Sequence, residues 1–293
     1  MLHHHNHPSI KPARVVILGS SGFIAQAIQR KLTEHKIPTL PLSRLDLDLT
    51  NSSASERLSS LLLPTDSLLF VAAKAPVKND AMMLENLVMA KCVDEALQRS
   101  EIQHLVYISS DAVYADGTEP LHEGSCAQPT SLHGIMHLSR EIMLRNAWHG
   151  PLCILRPTLV YGNGDPHNGY GPNRFLRLAK RGEDIVLFGE GEELRDHVWV
   201  EDVAEITWQA ILRKSNGTLN IATGTVISFK AVAELILNLV GGASRLKGSQ
   251  RVGPMPHNGY RAFGTESIRR AFPEFHYRLL SDYLTNEINN WRL

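Results

Sequence analysis

The stretch that most constrains this 293-residue chain runs from Val15 to Leu32. Val15-Val16-Ile17-Leu18 is a continuous apolar run without polar alternation, as expected of a strand covered on both faces. Gly19-Ser20-Ser21-Gly22 follows at once, and then Phe23, Ile24, Ala27, Ile28 and Leu32 recur with helical period. A strand, a glycine turn and a helix in immediate succession begin a chain whose later segments repeat the alternation. Thr39–Leu42 reads as a second strand, weakened by Pro41. Residues 67–71, 104–108 and 152–155 read as further buried strands, and helical spacing separates them. The expected fold is α/β: a doubly wound parallel (Rossmann) sheet with a smaller C-terminal substrate lobe, its ligand site at the carboxyl ends of the strands. The expected division is a disordered His-rich tail over 1–13, a mainly dinucleotide-binding part over 14–165 and a mainly substrate-binding lobe over 166–293. The chain is expected to cross between the last two more than once.

Composition removes several function classes. Thirty basic residues balance thirty acidic ones, so no basic excess argues for nucleic acid or a membrane surface. Three widely spaced cysteines, Cys92, Cys126 and Cys153, suggest neither a disulfide framework nor a zinc finger and fit a reducing compartment. No apolar run approaches the roughly 20 residues of a membrane span. The N-terminus, His-rich over residues 3–7, offers no signal-peptide core, so a cytoplasmic location is expected.

Two local patterns carry chemistry. The glycine turn, Gly19-Ser20-Ser21-Gly22-Phe23-Ile24-Ala25, lets backbone N–H groups approach a pyrophosphate at a helix N-terminus. Gly19, Ser21, Gly22, Phe23 and Ile24 are therefore candidate dinucleotide contacts. After the second strand, NAD binders commonly place a carboxylate and NADP binders an arginine; Ser43-Arg44 stands there, which leans to NADP over NAD. The other pattern is His133 and His137, four residues apart on one face of a helix entered through Pro129, Thr130 and Ser131. That pair fits proton transfer near neutrality, half of a metal site, or a polar surface. A metal would need a third ligand, for which His122, Asp111 and Glu123 are the sequence-near candidates; no motif points to one, and no metal is expected.

From Val15 to about Trp291 the chain resembles the extended short-chain dehydrogenase/reductases of the NAD-dependent epimerase/dehydratase family. Asp48-Leu49-Thr50 matches the adenine contact, Phe70-Val71-Ala72-Ala73 the small residues after strand four that line the cofactor, with Lys74 next in line to face the cofactor or the sugar, and Glu85-Asn86 the helix carrying the family's asparagine. Arg156-Pro157-Thr158-Leu159-Val160 matches the segment beneath the nicotinamide, placing Pro157 and Val160 at the cofactor. Ser110, four before Tyr114, falls on the catalytic serine, and Asp111 on the acid of the dehydratases. Their following glutamate is Ala112 here, which argues against the usual dehydration. The family's Tyr-x-x-x-Lys becomes His133-x-x-x-His137, with the flanking Gly134 and Glu141 retained. The resemblance implies a homodimer, NADP or NAD, a nucleotide-linked sugar or related polyol, and an arginine on the substrate diphosphate, here Arg195. Leu159 stands where a substrate-positioning asparagine is common; Asn173 and Tyr260 are the further substrate candidates. Two functions remain open: hydride transfer with His133 as the acid/base, or a catalytically altered protein that binds a dinucleotide or sugar nucleotide as a sensor or scaffold.

Overall fold

The computed structural model describes residues 2–166 and 168–292. In chain order the elements are β1 (His3–His4), β2 (Arg14–Leu18), α1 (Phe23–Glu34), β3 (Thr39–Leu42), α2 (Ala54–Leu61), β4 (Asp66–Phe70), α3 (Asp80–Leu97) and β5 (His104–Ile108). They continue with α4 (Leu132–Ala147), β6 (Leu152–Pro157), β7 (Leu159–Tyr161), α5 (Pro172–Lys180), β8 (Ile185–Phe188), β9 (Leu194–Trp199) and α6 (Val200–Leu212). The last are β10 (Ser215–Ile221), β11 (Val226–Ser228), α7 (Phe229–Val240), β12 (Leu246–Ser249), β13 (Tyr260–Arg261), α8 (Glu266–Ala271) and α9 (Leu280–Arg292). No helix among the described residues is long and apolar enough to cross a membrane.

The chain divides into two compact units. The first holds Met1–Ala115, Glu123–Pro157 and Val203–Ile221. Its sheet has the order β1-β10-β6-β5-β4-β2-β3, parallel from β10 to β3. Every residue of β4, β5 and β6 is buried, which is why residues 68–70, 105–108 and 152–155 within them read as unbroken apolar runs. Pro41 is tolerated because β3 is the edge strand, where its missing N–H breaks no ladder on the open side. Val16, Leu18, Leu68, Phe70, Leu105, Tyr107 and Ile154 share one core with Leu58 of α2, Ala90 and Val93 of α3, and Leu144 of α4.

Two expectations differ from the structure here. The N-terminal tail is not disordered: β1 pairs antiparallel with β10, His3 opposite Asn216 and His4 opposite Ser215. His5 and Asn6 then donate their N–H groups to the Arg213 carbonyl at 3.1 and 3.0 Å. Backbone pairing at an open sheet edge is indifferent to side-chain composition, so a polar histidine run can still complete it. The division at 165/166 is also displaced, because β10 lies beside β6 and so returns Val203–Ile221 to the first unit.

The second unit holds Asp116–His122, Thr158–Asp202 and Ala222–Leu293. In it β9 is flanked by β11 and β13, β7 also pairs with β9, and β8 pairs with β12. Its own core gathers Phe175, Leu176, Phe229, Val232, Ile236, Leu284 and Ile288. The apolar spacing over 229–240 forms α7, with Ser228 accepting the Ala231 N–H as its N-cap.

Candidate functional site

The glycine turn at the end of β2 has the conformation its sequence calls for. Gly19 has φ of +84°, and a Cβ there would sit 2.5 Å from the Ala72 Cα, so glycine is required by both backbone and space. Gly22 opens α1 with no side-chain cap and no acidic residue in the first turn. The helix N-terminus thus keeps free N–H donors, the condition for receiving a pyrophosphate. A pocket of about 230 Å³ lies beside the turn. It is lined by Gly19, Ser21, Gly22, Arg44, Asp48, Leu49, Ala72, Ala73 and Lys74, with Leu18, Leu42, Leu47, Val71 and Met89 as its apolar walls. Donor-rich turn, apolar slot and loop of charged residues together fit a dinucleotide. Phe23 and Ile24 open α1 without lining the pocket, Pro157 ends β6 within the same unit, and Val160 belongs to β7 of the second unit.

The loop after β3 uses its carboxylates internally. Asp46 accepts from the Ser43 N–H and hydroxyl at 2.9 and 2.6 Å, and those two bonds hold its carboxyl below the usual range. Asp48 accepts from the Thr50 hydroxyl and N–H and from Arg44 Nε at 3.0 Å; the Thr50 bonds are the main reason its carboxyl is also lowered. Arg44 itself is largely exposed. Lys74 is held differently: its ammonium donates to both oxygens of Glu85 at 2.8 Å, and its main chain is clamped by the Asn86 amide.

At the carboxyl end of β5, Ser110 Oγ accepts the Ala112 N–H at 3.1 Å and caps a short 3-10 turn over Asp111–Val113. The first turn of α4 packs directly on it: a Cβ on Gly134 would lie 2.0 Å from the Ala112 carbonyl oxygen. The glycine after His133 is therefore what lets the helix approach Ser110 and Asp111. Ser131 caps α4, accepting from the Gly134 N–H at 3.1 Å. His133 is half-buried and His137 buried, with their rings perpendicular and centroids 4.7 Å apart. Burial first, then the neighbouring His133 and Arg140, holds His137 well below its ordinary value, so it is a neutral imidazole at pH 7. Among the described residues no group of three His, Cys, Asp or Glu side chains could hold a metal ion.

Sequence reasoning missed the polar groups beneath this pair. Tyr107 Oη lies 2.7 Å from His137 Nδ1. Glu141 Oε1 accepts from Ser109 Oγ at 2.6 Å and Arg156 Nε at 2.9 Å, and Oε2 from Arg156 Nη2 at 2.6 Å. Arg156 also donates to Tyr114 Oη at 2.8 Å, and that hydroxyl donates to Asn220 Oδ1 at 2.7 Å. Tyr107 and Tyr114 sit inside apolar patterns, so only pairing across strands and helices reveals what their hydroxyls do.

In the second unit Arg195 is buried and donates from Nη1 to Glu193 Oε1 at 3.1 Å. His257 is lowered by burial first and then by Arg195 and Arg261; its Nδ1 and Arg261 Nη1 both meet Asp116 Oδ1. Arg195 and Arg261, register partners across β9 and β13, thus share one charged cluster with a neutral-leaning His257 and the carboxylates of Glu193 and Asp116. Tyr260 starts β13 opposite Leu194. Asn173 is buried in α5, where it accepts the Gly162 N–H at 3.2 Å and donates to Asp165 at 3.0 Å, so it pins the preceding loop. A cavity of about 520 Å³ in this unit is lined by His197, Thr223, Arg269, Tyr277 and Arg278 among others, and by none of the expected substrate residues.

The model of the NAD dependent epimerase/dehydratase family matches residues 15–222. An uncharacterised UDP-glucose epimerase of Bacillus subtilis (strain 168) is 25% identical over 314 residues, covering 94% of this chain and 96% of its own length. The crystal structure of a Thermus thermophilus UDP-glucose 4-epimerase in complex with NAD superposes with a TM-score of 0.84 at 22% identity, covering 95% of this chain and 99% of that one. A GDP-L-fucose synthetase from Naegleria fowleri bound to NADP gives a TM-score of 0.82 at 16% identity, covering 96% and 94%. At these identities the structural likeness establishes the fold.

Proposed function

Because the chain belongs to the NAD-dependent epimerase/dehydratase family, we propose that it is an NAD(P)-dependent oxidoreductase or epimerase of a nucleotide-linked sugar, with His133 as its acid/base. The observation that carries this reading is the placement of the histidine pair: half-buried His133 stands on the first turn of α4, which packs against the turn that Ser110 caps, with a buried, neutral His137 edge-on to its ring. Bound nicotinamide supplies the hydride acceptor or donor. The chain's part is proton transfer and orientation. His133 takes the proton of a sugar hydroxyl as the carbon beneath it is oxidised and returns it on reduction. Ser110, on the turn against which α4 packs, holds the same oxygen, and Asp111 beside it adds a carboxylate. A tyrosine in this role needs a neighbouring cation to work at pH 7; an imidazole does not, which makes the joint loss of tyrosine and lysine coherent.

Arg195 is proposed to meet the substrate diphosphate, supported by the cluster it forms with His257 and Arg261. NADP is favoured over NAD because the loop's carboxylates are bonded within the loop while Arg44 remains exposed at the pocket. A homodimer through α3 and α4 is supported by the exposed Leu84, Val88 and Ile142 on these helices.

The test is an assay of UDP- and GDP-linked hexoses that follows both the reduced nicotinamide and the sugar, since epimerisation regenerates the cofactor. His133→Phe is expected to lower kcat by about 10²–10⁴-fold, the usual contribution of a positioned acid/base, while retaining dinucleotide binding. Dinucleotide binding without turnover of any sugar nucleotide, or a fully active His133→Phe, would refute the reading.

A further inference from the structure

Where the family carries lysine, an ammonium donates hydrogen bonds in three directions and needs no orientation. A neutral imidazole donates from one nitrogen and accepts at the other, so its use depends on which nitrogen carries the hydrogen. At position 137 that choice is made by the residues behind the ring. Tyr107 Oη lies 2.7 Å from His137 Nδ1, with both side chains buried. The phenol has a single hydrogen to give. The guanidinium of Arg140, three residues along α4 from His137, also acts on that oxygen, and a guanidinium only donates.

Arg140 cannot swing away to change this. It is 0% exposed, and its guanidinium lies over the Phe70 ring at 4.8 Å. Nε and Nη2 donate to the Asn86 carbonyl oxygen at 2.9 and 2.7 Å, and Nη1 donates to the Ala72 carbonyl oxygen at 2.8 Å. With a fixed donor on one side of the hydroxyl, the phenol hydrogen finds its acceptor in His137 Nδ1. The same fixed cation opposes protonation of the imidazole.

We propose that Tyr107, backed by Arg140, is a positioning residue that locks His137 as the Nε2–H tautomer, so that the ring offers a donor to a ribose hydroxyl of the dinucleotide where lysine would offer an ammonium. The use of that donor rests on the functional reading above; the lock itself does not. Neither Tyr107 nor Arg140 acts on substrate in this scheme.

Nitrogen-15 NMR of the ligand-free protein labelled at histidine tests it. The His137 ring is assigned by its contacts to Tyr107 and by the signals lost in His137→Asn. The expected result is a pyrrole-type Nε2 and a pyridine-type Nδ1 that do not titrate between pH 6 and 9. Tyr107→Phe removes one oxygen and should leave the fold intact by thermal melt. It should move both ring nitrogens toward averaged shifts as the two tautomers mix, and weaken NAD or NADP binding by about five-fold, the loss of one modest hydrogen bond. A pyrrole-type Nδ1, a protonated ring in this range, or ring shifts unchanged in Tyr107→Phe would overturn the proposal. The wild-type spectrum decides even if the variant does not fold. A locked ring in a protein that turns over no sugar nucleotide removes the role of His133 and keeps the lock; an unlocked ring in an active enzyme does the reverse.

Discussion

Replacing Glu141 by glutamine tests the polar floor of the site most directly. The Glu141 and Arg156 side chains are 2% and 6% exposed and meet in a two-pronged pair at 2.6 and 2.9 Å. Burial alone would lower Arg156, but the hydrogen bonds and charge of Glu141, helped by Tyr114, outweigh it and raise the guanidinium above its ordinary value. Glutamine keeps the shape and removes the charge. It also turns an amide N–H₂ toward the Arg156 guanidinium in either orientation, since both carboxylate oxygens accept from it. Breaking one partner of a buried pair costs about 3–5 kcal/mol, because the remaining charge stays desolvated. Total stability of a domain is about 5–15 kcal/mol, so this is a large fraction of it. At about 2–4 °C per kcal/mol, Glu141→Gln should melt roughly 6–20 °C below wild type. Replacing both partners, Glu141→Leu with Arg156→Met, should recover most of that loss, since no charge is left unpaired. Thermal and urea unfolding of the three variants give the comparison. A Glu141→Gln loss under about 1 kcal/mol, or a double variant worse than the single one, would mean that the pair is solvated and that the desolvation reasoning fails.

Arg44→Ala should shift cofactor preference toward NAD by roughly ten-fold, the value of one charge-assisted hydrogen bond, measured as the ratio of the two dissociation constants; an unchanged ratio removes the NADP assignment. Stability should fall with acid: burial lowers His104 to about 4 and His197 to about 3 in the folded chain, so the unfolded state binds the extra protons. Their contribution is complete above the unfolded value of about 6.5 and is lost as pH falls toward those lower values, by at most about 1.4 kcal/mol per pH unit for each histidine. Urea midpoints at pH 7 and pH 5 measure it, and His104→Asn should flatten the difference; an equal slope in that variant shows His104 to be no part of it. If the proposed dimer forms, Ile142→Glu on the exposed face of α4 should convert it to monomer in sedimentation equilibrium, whereas a wild-type monomer at micromolar concentration refutes the pairing through α3 and α4.

Much of the fold was legible locally. The apolar runs that became β2, β4, β5 and β6 are continuous because each of these strands lies between neighbours with both faces covered, and such runs are visible without knowing the neighbours. Gly19 and Gly134 could be picked out by position, although the reasons differ: one needs a positive φ, the other a close approach to a carbonyl. β1 was invisible because a histidine run has no strand pattern, and its pairing comes from an open edge supplied by β10, more than 200 residues away in the chain.

At the histidine pair the same division holds. Sequence alone determined that His133 and His137 share a helix face, because four residues make about one turn and that geometry is local. Their match to the family's tyrosine and lysine is likewise a reading of the sequence. Tertiary structure decided what they are. The burial of His137, the tyrosine against its Nδ1, the arginine held over Phe70 and the Glu141–Arg156 pair below all join β4, β5, β6 and α3 to α4. Protonation and tautomer are set by solvent exclusion and by neighbours in space, and neither quantity is a property of the spacing of residues along the chain.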